Sequence, residues 1–231
     1  MDTILETDHE FICDIQSPCF QSLSSDEIEM VRTSKTQVLF RKGDNLTKQG
    51  TFTAYVLFVV SGLVKQYIEG EQNKSFNLRI IKPGEFIGLS SVFSNQTFNY
   101  SSVALTDCQA YLIEKNTIKE IMTQNGGFGL SIIKRYCEQN TNLFESLGTV
   151  LYKQMNGRMA ETLLYLNGLK TEFPDIFQLL SRKDIANFAG VSTESAVKLL
   201  KSFEKEKWIV LTEKDIQIVE TVALEDISRR G

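Results

Sequence analysis

The sequence predicts an α+β chain in three parts: an N-terminal antiparallel β-roll, one long helix, and a C-terminal pair of short helices followed by two strands. Three observations carry that prediction. Between Val38 and Ile113, short β-prone runs are separated by closely spaced glycine turns. From Phe128 to Lys153 the apolar period changes to alternating threes and fours. The stretch LLSRKDIANFAGVSTESAVKLLKSFEKEKW, Leu180 to Trp208, carries start and stop signals for two helices in direct succession.

The N-terminal MDTILETDHEFICDIQ is acidic and lacks the basic and long apolar regions of an export signal, and no apolar run is long enough to span a bilayer. A cytoplasmic protein with no membrane partner is expected. Cys13, Cys19, Cys108 and Cys137 are too scattered for a disulfide scaffold and should be reduced there. Ser24 opens SSDEIEMV with a capping signal, predicting a short helix. Strands are predicted at Val38 to Phe40, Tyr55 to Val60, Leu63 to Ile68, Phe76 to Ile81, Ser101 to Leu105 and Ala110 to Ile113. The turns Lys42-Gly-Asp, Ser61-Gly, Glu69-Gly-Glu and Pro83-Gly-Glu separate them, the pattern of a small roll.

In the long helix, Ile133, Tyr136, Asn140, Leu143, Leu147 and Val150 keep the rhythm of a coiled-coil seam, which predicts a parallel homodimer with Asn140 setting register. Lys153 to Gly157 reads as a hinge. The parts expected are therefore a β-roll over 1–127, a dimerisation helix over 128–153 and a C-terminal domain over 154–231.

Ser181 with Asp184 forms a capping-box pattern, Ile185, Phe188 and Ala189 share one face, and Gly190 stands where a left-handed residue closes a helix. Ser192 caps a second helix with a buried stripe of Ala196, Leu199, Leu200 and Phe203. Strands at Trp208 to Leu211 and Ile216 to Val219 flank the turn Thr212 to Asp215, completing a winged helix-turn-helix. Thr193, Glu194, Ser195, Lys198 and Lys201 point outward. Glu194 can accept from cytosine N4 and Lys198 can donate to guanine, while Arg182, Ser192 and Lys201 suit phosphates at the flanks. The chain carries a net charge of −4. Between Ser181 and Lys214, however, seven Lys or Arg face five Asp or Glu, so the positive charge is local. With His9 as its one histidine the chain offers no metal site, and no nucleophile and base converge, so an enzyme is not expected.

VVSGLVKQY at 59–67, PGEFIG at 83–88 and SRKDIANFAGVSTESAVKLLKSFEKEKW at 181–208 resemble the CRP/FNR family of bacterial transcription regulators, over nearly the whole chain from Phe11 to Val219. The resemblance implies a cyclic-nucleotide-binding-like roll, a homodimer paired through its long helices, and two recognition helices on a pseudo-palindromic double-stranded DNA site. It implies base reading by Glu194, Ser195 and Lys198, a phosphate contact at Arg182, and by analogy an RNA polymerase contact at the loop Asn167 to Asp175.

The sensory half departs from the family pattern. Leu89 stands where cyclic AMP binders carry a ribose-binding Glu, and Gly88 to Leu105 contains no Arg, Lys, Asp or Glu. Leu143 and Phe144 lie where those members present hydroxyls. Cyclic AMP is therefore not expected to bind in the usual way. An apolar effector pocket of Phe86, Gly88, Leu89, Val92, Phe93, Phe98, Leu143 and Phe144 is the candidate instead, with a filled core as the plain reading. For the family's iron-sulfur cluster, Cys13 and Cys19 match, but Glu10 holds the first position and Tyr111 the distant one. No cofactor is expected; an iron-sulfur cluster or a haem is disfavoured. The alternative function is a signalling or interaction module that kept the fold and no longer reads DNA.

Overall fold

The computed structural model describes residues 2–3, 20–94 and 97–231. The capping box at Ser24 starts α1 (Ser25–Ser34): the Ser24 hydroxyl accepts from Glu27 N–H at 3.3 Å, and the Glu27 carboxylate accepts from Ser24 N–H at 2.7 Å. Among the described residues nine strands belong to the roll: β1 (Asp2–Thr3), β2 (Lys35–Phe40), β3 (Asn45–Thr47), β4 (Tyr55–Ser61), β5 (Val64–Glu69), β6 (Ser75–Ile81), β7 (Phe86–Ile87), β8 (Ser101–Ala104) and β9 (Cys108–Glu114). They form one sheet in the order β1-β2-β9-β4-β7 and another in the order β3-β8-β5-β6. β9 pairs antiparallel with β2 on one side and β4 on the other, and β5 pairs antiparallel with β8.

β4 shows why its sequence, YVLFVVS, is apolar without a break. Successive side chains leave a strand on opposite faces. Val56 and Phe58 enter one cluster with Phe20, Phe86, Tyr111, Ile113 and Phe128. Leu57 and Val59 enter the other with Val38, Val64, Ile81, Phe98 and Ala110. The first cluster is roofed by Val31 of α1, by Ile118 and Ile121 of a helix α3 (Lys115–Gln124), and by Ile132 of α4 (Gly126–Tyr152). Between β7 and β8 lies α2 (Ser90–Phe93). α2 and α3, like β3 and β7, lie where the sequence pattern indicated no element.

α4 ends at Tyr152, and Gln154, at φ −70° and ψ 170°, is extended before α5 (Met155–Leu169) begins. The joint is therefore Lys153 and Gln154. Gly157, expected in the hinge, is instead buried inside α5. It lacks a side chain for a packing reason: a Cβ there would lie 3.0 Å from the Cα of Gly231. The chain continues as α6 (Arg182–Ala189), α7 (Thr193–Lys205), β10 (Ile209–Leu211), β11 (Ile216–Ile218) and α8 (Thr221–Arg230), the last also not anticipated.

Two compact units result, one of Met1–Glu71 with Arg79–Asn140, the other of Gln72–Leu78 with Thr141–Gly231. In the second, Asn77 Nδ2 donates to the Asp184 carbonyl at 2.9 Å and Asn187 Nδ2 to Ser75 Oγ at 2.8 Å. Among the described residues no helix is long and apolar enough to cross a membrane.

Candidate nucleic-acid interface

The two helices at the heart of the site begin and end as their sequence dictates. The Ser181 hydroxyl accepts from Asp184 N–H at 3.1 Å and the Asp184 carboxylate accepts from Ser181 N–H at 2.9 Å, which starts α6. Gly190 stops it in the left-handed conformation, φ 61° and ψ 38°. Ser192 then caps α7, accepting from Ser195 N–H at 3.0 Å. Ile185, Ala186 and Ala189 of α6 and Ala196, Leu200 and Phe203 of α7 are buried, so the two helices are fixed through their inner faces.

The wing is fastened to the same body. β10 and β11 pair antiparallel with Ile209 opposite Ile218, and the turn closes through Thr212 N–H donating to the Asp215 carbonyl at 3.1 Å. Lys170, at the end of α5, lies 3.1 Å from the Asp215 carboxylate and donates to the Ile216 carbonyl at 3.0 Å. Glu204 of α7 accepts from Leu211 N–H at 3.1 Å. Sequence reasoning missed Lys170 and Glu204. No local pattern could mark Lys170, because its partners lie 45 and 46 residues away.

Glu194 and Lys198 face solvent, their side chains 77% and 74% exposed, and pair with each other at 2.7 Å across one turn. Thr193 and Lys201 are exposed, Arg182 is half-buried at the start of α6, and its neighbour Lys183 is exposed. Ser192 and Ser195 are occupied locally, the Ser192 hydroxyl donating to Ser195 Oγ at 2.9 Å. Ser195 thus spends its acceptor on the cap and keeps its own proton for an outside partner.

Within the roll, the packed candidate effector residues divide between its two clusters. Phe86, Leu89 and Val92 belong to the helix-roofed cluster, and Phe98 to the cluster between the sheets. Phe93 closes α2 with 61% of its surface exposed, while Leu143 and Phe144 are exposed on α4. Gly88, at φ 86°, is covered by its own chain: a Cβ there would meet the Phe98 ring at 2.7 Å. The Gly88 N–H donates to the Tyr100 hydroxyl at 2.8 Å, and burial pushes that phenol up, keeping it neutral. Arg79, on β6, pairs with Glu85 and donates from Nε to Gln66 at 2.8 Å.

Of the seam residues, Ile133, Tyr136, Asn140, Leu143 and Leu147 are exposed and Val150 is half-buried; Leu130, Phe144 and Leu151 widen the exposed apolar face. Cys13, Cys19 and Glu10 lie outside the described residues. The Cys108 thiol is buried, raised by that burial, and donates to the Leu63 carbonyl at 3.3 Å. Tyr111 stacks on Phe58 with Lys35 over its ring at 4.4 Å. Among the described residues no group of three or more His, Cys, Asp or Glu is placed to hold a metal ion.

Comparison with known proteins accounts for both halves. Residues 37–125 match the cyclic nucleotide-binding domain, and residues 157–227 match the Crp-like helix-turn-helix domain. The chain belongs to the CRP/FNR family of transcription regulators. The anaerobic regulatory protein of Bacillus subtilis is 24% identical over 196 residues, covering 83% of this chain and 82% of its own. The cAMP-activated global transcriptional regulator CRP of Salmonella typhimurium is 25% identical over 180 residues, covering 76% and 86%. A CRP/FNR regulator structure from Eubacterium rectale aligns with a TM-score of 0.76 at 19% identity over 92% of this chain and 98% of that one. FixK2 from Bradyrhizobium japonicum aligns at 0.73 and 16% identity over 84% and 96%. As a CRP/FNR regulator the chain is a DNA-binding transcriptional regulator, and the helix-turn-helix built by α6 and α7 is its DNA-binding motif.

Proposed function

We propose that this CRP/FNR regulator is a cytoplasmic homodimer and not an enzyme. It reads a pseudo-palindromic duplex through Glu194, Ser195 and Lys198, and its roll does not take cyclic AMP in the usual way. The observation that carries the reading is the exposed Glu194–Lys198 pair on a capped helix whose other face is locked into the core. One carboxylate and one ammonium, a turn apart, suit a cytosine and a guanine in the major groove. Thr193 extends the same face, while Arg182, Ser192 and Lys201 flank it and serve the phosphates.

The exposed apolar row on α4 supports the dimer, because a surface helix of a monomer would turn that row inward. Two copies of α7 would then meet successive major grooves about one helical turn apart. The degenerate roll is supported at Gly88. There Phe98 covers the backbone and Tyr100 takes the amide proton that an anionic phosphate would need. Arg79, a nearby cation, is already paired with Glu85. The same reading keeps the loop at 167–175 as the analogue of the family's RNA polymerase contact.

Selection of bound DNA from a random duplex pool, with purified protein, no additive and a fixed salt concentration, tests it. The expected product is an inverted repeat with half-sites one turn apart, unchanged by added cyclic AMP. A pool that stays unenriched without cyclic AMP and enriches with it would overturn the account of the roll.

A further inference from the structure

We infer that the C-terminal helix α8 is a positioning element for DNA reading: it braces the joint between α4 and α5 and so fixes the separation at which two copies of α7 are presented. The inference rests on the dimeric reading above. It begins with the joint, where only Lys153 and Gln154 separate two long helices. A two-residue break whose second residue, Gln154, is extended would swing freely unless something held it.

α8 holds it at the joint residue itself. Lys153 Nζ donates to Glu161 Oε2 on α5 at 2.8 Å and to Ser228 Oγ on α8 at 2.8 Å. Ser228 in turn donates to the same Glu161 oxygen, closing a triangle of three hydrogen bonds. Ser228 is buried. In the first turn of α5, one turn before Glu161, Gly157 lies against Gly231, and a Cβ on Gly157 would come within 3.1 Å of three Gly231 main-chain atoms. Backbone therefore meets backbone, and the end of α8 is seated against the first turn of α5. Leu224 anchors the same helix in the core. Lys153, Ser228 and Gly157 act through the placement of α7 and not through contact with DNA.

The test uses the full chain and two variants, Lys153→Met with Glu161→Gln together, which leaves no half-buried charge unpaired, and Ser228→Ala alone. Affinities are measured for the selected inverted repeat, for the same repeat with its spacer changed by one and two base pairs, and for a single half-site. The wild type should prefer one spacer. In both variants that preference should fall by about fivefold, the lower end of a site-to-site coupling, with half-site affinity retained at temperatures below their melting transitions. Variants that keep the wild-type spacer preference overturn the inference. So do variants that lose half-site affinity in step with it, since α8 would then only stabilise the fold. A wild type indifferent to spacing would overturn the dimeric reading, and the brace with it.

Discussion

Glu194 and Lys198 are each other's partners before any DNA arrives. An exposed pair at this spacing is worth only a few tenths of a kcal/mol, so exchanging it for base edges costs about that much. Glu194→Ala should therefore relax preference at one base-pair position by about 1–3 kcal/mol and leave affinity for random duplex nearly unchanged, as measured by competition binding. Arg182→Ala should weaken binding to every sequence alike and reduce the salt slope by about one, read from titrations between about 50 and 200 mM salt. Acid should act on Glu161. Its partial burial works to raise the carboxyl, but donation from Lys153 and Ser228 outweighs that and holds it below its ordinary value of 4.5. A lowered carboxylate contributes stability above its unfolded value and loses it as pH falls through the folded one. Urea unfolding of wild type and Glu161→Gln should accordingly differ at neutral pH and converge as pH falls through the lowered folded value of Glu161.

At the level of elements, caps and glycines decide where segments stop. Ser181→Ala should cost about 1 kcal/mol, measured by urea unfolding, through loss of the α6 capping box. Gly62 should tolerate less. It sits at φ 87°, and a Cβ there would strike the Asp107 carbonyl and lie 2.5 Å from Cys108 Sγ. Gly62→Ala is expected to destabilise the roll by about 2 kcal/mol or more in the same measurement. These features were legible because their determinants lie within a few residues of each other: Ser24 with Glu27, Ser181 with Asp184, Gly190 after Ala189. α3 was not legible. Its sequence, KNTIKEIMTQ, makes no side-chain cap at Glu114, and the cluster that buries Ile118 and Ile121 includes Phe20, Val31, Val56 and Phe58, all distant in sequence. The apolar residues near Gly88 left a pocket and a filled core both open in the sequence, and only the fold reveals that Phe98 and Tyr100 turn back onto Gly88.

For the whole molecule, the exposed row on α4 and the covered glycine of the roll make separate claims. Leu147→Glu should leave a folded monomer, halving the mass seen by light scattering and removing cooperative binding to the inverted repeat. Calorimetric titration of the roll with cyclic AMP should give no saturable heat. The order of roll, long helix and reader was visible in the chain because each part has its own period. The bracing of the joint was not, because Lys153 and Ser228 are 75 residues apart.

The self-paired Glu194 and Lys198 also bear on how the regulator finds its site. With a net charge of −4 and these two side chains neutralising each other, the chain offers random duplex little beyond Arg182, Lys201 and their neighbours. Sojourns on wrong sequence should be brief, and with so few phosphate contacts their length should depend only weakly on salt. Time in the genome is then spent sampling new positions instead of waiting on poor ones, and a modest number of copies suffices to keep a true operator occupied.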